Sequence, residues 1–250
     1  MGATLVIRGT HEEKNRASWM PQTGTFDGTL QYIAAELDIV NPRLASMLRA
    51  PIDGFPFLDL SKLDQQEFQI VGDATIQAHD RLLKGDSLAG IMIAFSELKM
   101  LIMLDSRFQG LIDVSGTIEI QKGVLWVAPG WIYDFVLEVI ASYHRVFSSY
   151  PKQVAKLISS RVCEGNGYLN LSDLDFGTHV GIWDAIKYLY GFYGDGLGKR
   201  SNDYNYREEV GVHISNFFSL AQQKNHADFN AKIQHIMNEH SWLLEELAKQ

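Results

Sequence analysis

The chain has a single cysteine, Cys163, in 250 residues. That excludes an internal disulfide framework and any all-cysteine metal site, and it fits a reducing compartment. Long apolar runs are also missing. The longest, Leu88 to Leu104, is broken by Ser96, Glu97 and Lys99, so it does not read as a membrane span. No basic segment followed by an apolar stretch opens the chain, because charges begin at His11 to Lys14, and a cleaved export signal is not expected. The expected location is the cytoplasm. Basic residues are the scarcer sign, with 22 Lys and Arg against 30 Asp and Glu. A duplex-binding surface needs clustered cations to release counterions, so direct nucleic-acid binding is disfavoured.

What the chain does have is an acidic block. Between Asp27 and Asp80 stand nine acids (27, 36, 38, 53, 59, 64, 67, 73 and 80) against Arg43, Arg49 and Lys62. That gives this stretch about −6 of the chain's net −8. Such a surface suits a basic partner, since opposite potentials steer encounter and raise association rates roughly 10- to 1,000-fold.

Hydrophobic periodicity gives the elements. Thr4 to Ile7 reads as a strand, and short helices are expected near Leu30 to Leu37 and Pro42 to Arg49. Ala50 to Pro56, with two prolines and a glycine, reads as a turn-rich connection. Ser61 to Asp64 and Asp64 to Glu67 are overlapping helix-start patterns. Phe68, Val71, Thr75, Ala78 and Leu82 continue one helical stripe, and Leu88 to Met103 forms a second. Leu111 to Gln121 and Val124 to Val127, joined through Lys122-Gly123, form a hairpin. After Pro129-Gly130 the pattern is helical throughout: Trp131 to Phe147, a helix from Pro151 to about Val162, His179 to Tyr193, Tyr206 to Gln222 and Asp228 to Leu247. The expected fold is α+β, with a small strand and hairpin region carrying helices at the N-terminus and a mainly helical C-terminal half. It divides into 1–128 and 129–250, either as two regions or as one compact domain. No repeat of 20 to 50 residues is evident, so a solenoid is not supported.

Each apparent chemical motif fails on spacing. Gly191 to Ser201 resembles a phosphate cradle, but Tyr193 and Arg200 stand where a glycine and a hydroxyl are needed. Ser149-Tyr150-Pro151-Lys152 has Ser-x-x-Lys spacing without the companion motifs, and Ser149 is better read as a helix cap. No His-Glu-x-x-His or Gly-x-Ser-x-Gly occurs, and the calcium-loop likeness at Asp173 to Gly177 lacks its sixth-position glycine. No catalytic, metal or cofactor residues are assigned. Lys199, Arg200, Tyr204 and Tyr206 would make an exposed polar and aromatic loop suited to macromolecular contact.

The strand Leu5-Val6-Ile7-Arg8-Gly9, the acidic run Asp59-Leu60-Ser61-Lys62-Leu63-Asp64-Gln65-Gln66-Glu67-Phe68 and the missing catalytic set give a layout that resembles immunity proteins of bacterial toxin–immunity pairs. Among these, it is most similar in character to the family paired with restriction-endonuclease-like toxins. The resemblance implies a non-enzymatic inhibitor that occludes the active cleft of a cognate, basic toxin, a nuclease. Its expected contacts are Asp59, Asp64, Glu67 and Asp73, with Tyr204 and Tyr206 beside them. The competing expectation is a hydrolase that uses carboxylates and a histidine, His79 or His179, in a cleft between the two halves.

Overall fold

The computed structural model describes residues 3–8, 17–84, 89–110, 114–147, 158, 167–172, 174, 176–193 and 204–239. These form an α+β fold. In chain order its elements are β1 (Thr4–Arg8), β2 (Ala17–Trp19), α1 (Thr23–Val40), α2 (Pro42–Arg49), β3 (Phe57–Asp59), α3 (Gln65–Lys84) and α4 (Ala89–Met103). They continue with β4 (Ser115–Gln121), β5 (Val124–Pro129), α5 (Gly130–Phe147), β6 (Tyr168–Asn170), α6 (Phe176–Tyr193) and α7 (Tyr204–Glu239).

The strands make two three-stranded sheets of the same topology. In the first, β1 pairs antiparallel with β2 and parallel with β3; in the second, β4 pairs antiparallel with β5 and parallel with β6. Leu5 lies between Trp19 and Leu58, while Ile118 lies between Trp126 and Leu169. All six side chains are buried. The backbone agrees as well. Thr4 N–H donates to Pro56 O and Thr117 N–H to Gly167 O, and Leu60 N–H donates to Val6 O and Leu171 N–H to Glu119 O.

The chain is therefore a tandem repeat of one unit, hairpin–helices–strand–helices. The sequences agree once the structure supplies the register. Leu58, Leu60, Ser61, Leu63, Asp64, Asp73 and Ala74 recur as Leu169, Leu171, Ser172, Leu174, Asp175, Asp184 and Ala185. Likewise Asp27, Leu30, Ile33 and Ala34 of α1 recur as Asp134, Leu137, Ile140 and Ala141 of α5.

This repeat moves the join between halves. The hairpin β4–β5 opens the second unit instead of closing the first, because β4 takes β6 as its parallel neighbour. The region after Pro129 thus contains a strand where only helices and a loop were expected. Strands β2, β3 and β6 have three residues each, too short for alternation to show. The expected helices 206–222 and 228–247 run as one helix to Glu239. The expected helix at Pro151 and the loop 194–203 lie outside the described residues, apart from Ile158.

Each unit has its own apolar core. In the first, the Trp19 ring packs against Phe26 at 6.1 Å, with Leu30, Ile33, Phe68, Val71 and Phe95 around them. In the second, Trp126 packs on Phe217 at 4.7 Å, with Ile132, Val136, Ile140 and Ile186 nearby. Burying each such side chain contributes about 1.5–3 kcal/mol. The units meet where α4 packs on α5.

Candidate functional site

The acidic residues gather around the start of α3. Asp59 closes a turn, its Oδ1 accepting Ser61 N–H at 3.0 Å and the Ser61 hydroxyl at 2.5 Å. Asn170 makes the same turn in the second unit, accepting Ser172 N–H at 2.7 Å. Asp64 caps α3 by accepting Glu67 N–H at 2.8 Å, which selects the second of the two overlapping start patterns. Glu67 pairs with Arg43. Asp73 is exposed and accepts from Gln69 Nε2 at 3.0 Å. Asp59 and Asp64 therefore have fold-level roles, shared at Asp59 by its counterpart in the repeat, while Asp64 and Asp73 also face solvent. Tyr204 and Tyr206 lie in the first turn of α7, with side chains outside the described residues.

Two features accompany these acids. Phe55 and Phe57, just ahead of Asp59, are 78% and 41% exposed. An open groove of about 370 Å³ lies along α3, lined by Gln65, Gln66, Gln69, Ile70 and Gln109. The Gln69 amide forms one wall by pairing with the backbone of Gln109, donating to its O at 3.1 Å and accepting its N–H at 2.6 Å.

A second constellation, of which only His79 has a chemical role proposed from sequence, lies between the units. Lys99 on α4 donates to Glu138 Oε1 on α5 at 2.6 Å. His79 Nε2 on α3 lies 2.9 Å from Ser96 Oγ and 3.3 Å from Glu138 Oε2, and its Nδ1 lies 3.4 Å from Asp80 Oδ1. Asp80 Oδ1 is also 3.7 Å from Lys99 Nζ. Asp134, one turn before Glu138, completes the group.

Burial alone would push the Lys99 ammonium down, but the facing Glu138 and Asp80 carboxylates overcome it and hold it above its ordinary value. Asp80 is also raised by burial, but His79 and Lys99 reverse that and leave it below the usual carboxylate range. Asp134 is pushed up to about 6, first by burial and then by the neighbouring Glu138.

Ser96, His79 and Asp80 follow the order nucleophile, base, orienting acid. Their surroundings oppose that use. Ser96 is 1% and His79 0% exposed, and the adjoining cavity, lined by Met100, Met103, Trp131 and Phe135, measures about 10 Å³. That is room for one water and not for a substrate. Ser96 also sits inside α4, whose backbone N–H groups are occupied by helical bonds, so no donor is left for an oxyanion. The arrangement ties three helices together. Ser96 and Lys99 read in sequence as interruptions of an apolar run, and Asp134 and Glu138 as the polar face of α5; the structure corrects the latter, because α3 and α4 cover that face and bury Glu138.

Among the described residues, no three His, Cys, Asp or Glu side chains form a metal-binding group, and no helix is long and apolar enough to cross a membrane. No family model, curated protein or solved structure matches this chain.

Proposed function

We propose that the protein is a non-enzymatic inhibitor of the immunity type, which blocks a basic toxin, a nuclease, in the cytoplasm of the cell that makes it. The observation that carries this reading is the exposed pair Phe55 and Phe57 leading into the acids at the start of α3. Exposed aromatics supply the apolar anchor of a protein interface, and acids such as Asp64 and Asp73 supply complementarity to a basic cleft. The glutamine-lined groove adds side chains that can both donate and accept. The enclosure of His79 and Ser96 weighs against the hydrolase reading.

The test is co-expression with the product of the adjacent reading frame, scored by survival. The chain should protect, and Phe57→Ala combined with Asp73→Lys should abolish protection while leaving the circular dichroism spectrum unchanged. Neither residue is buried, so both changes spare the core. Absence of protection by the unmodified chain, or full protection by the double variant, refutes the proposal.

A further inference from the structure

We propose that the charge cluster between the two units is a proton-dependent latch: a proton on the Asp134 carboxyl closes the α4–α5 junction, and its loss loosens it. The inference is independent of the proposed function, because it uses none of the residues proposed to contact the toxin.

The geometry sets an imbalance of charge. Asp134 interacts with Asp80 from α3, Lys99 from α4 and Glu138 from its own helix, and His79 of α3 lies beside both Asp80 and Glu138. Lys99 is the ammonium that acts on all three carboxylates, and it is committed to Glu138 at 2.6 Å, with Asp80 at 3.7 Å, while Lys84 acts on Asp80 alone of the three. Asp134 has neither a hydrogen bond nor an ion pair of its own among the described residues. It is half-buried, and its other neighbours are the apolar walls of a cavity of about 10 Å³, lined by Trp131, Met100, Met103 and Phe135, which keep most solvent away from it. A charged Asp134 is thus an excess carboxylate at the join, and a neutral one is not.

The repeat shows that this chemistry belongs to the junction. At the equivalent positions of α1, Trp131, Phe135 and Glu138 are replaced by Gly24, Gly28 and Gln31, and only the aspartate is kept, as Asp27. The wall beside Asp134 lies where α4 of one unit packs on α5 of the other, and α1 has glycines in place of its two aromatic residues.

The raised carboxyl value agrees in direction with this geometry. Because the folded state holds this proton more tightly than the unfolded chain does, the stabilisation is complete below the ordinary value near 3.8 and is lost as pH rises through about 6. Between pH 5 and 7.5 this corresponds to about a tenfold change in the opening equilibrium.

The experiment is hydrogen exchange of the full chain at pH 5.0 and 7.5, corrected for intrinsic rates and read on peptides from α4 and α5. The unmodified protein should be about tenfold more protected at pH 5.0. Asp134→Asn, which keeps the shape and removes the charge, should be equally protected at both values. Unchanged protection in the unmodified protein overturns the proposal. So does a pH dependence that survives in Asp134→Asn, which would assign it to His79. Should that variant fail to fold, carbon-13 NMR titration of Asp134 in the unmodified chain decides instead: a midpoint near 6 supports the latch, and one below 5 overturns it.

Discussion

Lys99 and Glu138 are each surrounded by core residues, so the cost of removing one is set by what happens to the other. Lys99→Met should leave the Glu138 carboxylate buried without its cation and cost about 3–5 kcal/mol. Lys99→Met with Glu138→Leu should recover most of that loss, since two apolar groups of similar volume need no pairing. Urea unfolding of the two single variants and the double variant measures the coupling. Gly116 offers a different kind of test. A Cβ there would lie 2.1 Å from Tyr133 Cγ, so Gly116→Ala should cost about 1–3 kcal/mol by overpacking. Ala3 occupies the matching strand position in the first unit, buried in the same core cluster as Phe26, and there Ala is the native residue.

The elements are held by ties that their own periodicity does not announce. Arg107, just after α4, donates to Ile7 O at 2.6 Å, Leu60 O at 3.0 Å and Leu63 O at 3.1 Å. Its guanidinium pairs with the buried Asp105 at 2.8 Å and lies 3.9 Å over the Phe68 ring. One side chain thereby joins β1, the segment after β3 and α3. Arg107→Lys should not substitute for it, because an ammonium lacks the planar fork that reaches several carbonyls at once. The expected loss is about 2–4 kcal/mol, with exchange protection reduced in β1 and β3 before the second unit is affected. Asp64 shows how a partner-contact test can mislead at this scale. Asp64→Ala should cost about 1 kcal/mol by uncapping α3, so reduced protection in that variant would not identify a contact. Among the described residues Asp73 carries only the bond to Gln69, and it gives the cleaner test.

At the scale of the whole molecule, the pH dependence should run opposite to ordinary acid denaturation over part of its range. Lowering pH from 7.5 to 5 should stabilise the chain through Asp134, by an amount bounded by the full shift, about 3 kcal/mol. Below that range the trend should reverse. Asp80, held low by His79 and Lys99 despite its burial, contributes stability that is present above its unfolded value and disappears as it takes a proton. Thermal unfolding midpoints measured from pH 3 to 8 should pass through a maximum on the acidic side of neutrality. A midpoint that falls steadily from pH 7 downward would contradict this.

Several features follow from the sequence alone. The 3.6-residue stripes at Phe68 to Leu82 and Trp131 to Phe147 specify helices because one face of each must leave water, and the Lys122-Gly123 turn specifies its hairpin because Gly123 has φ 77. The acidic block and the cap at Asp64 are likewise local facts. The three-residue strands were not legible, since a strand that short exists only through its neighbour's hydrogen bonds. Nor was the repeat. Its two copies share few identities, and the shared positions mean little until Leu5–Trp19–Leu58 and Ile118–Trp126–Leu169 are seen to occupy the same place in two sheets. The junction cluster depends on tertiary structure most of all. His79, Ser96, Lys99, Asp134 and Glu138 lie on three separate helices, the last two on what reads as the polar face of α5, and packing one unit against the other withdraws most of their water and makes them answer to each other's charge.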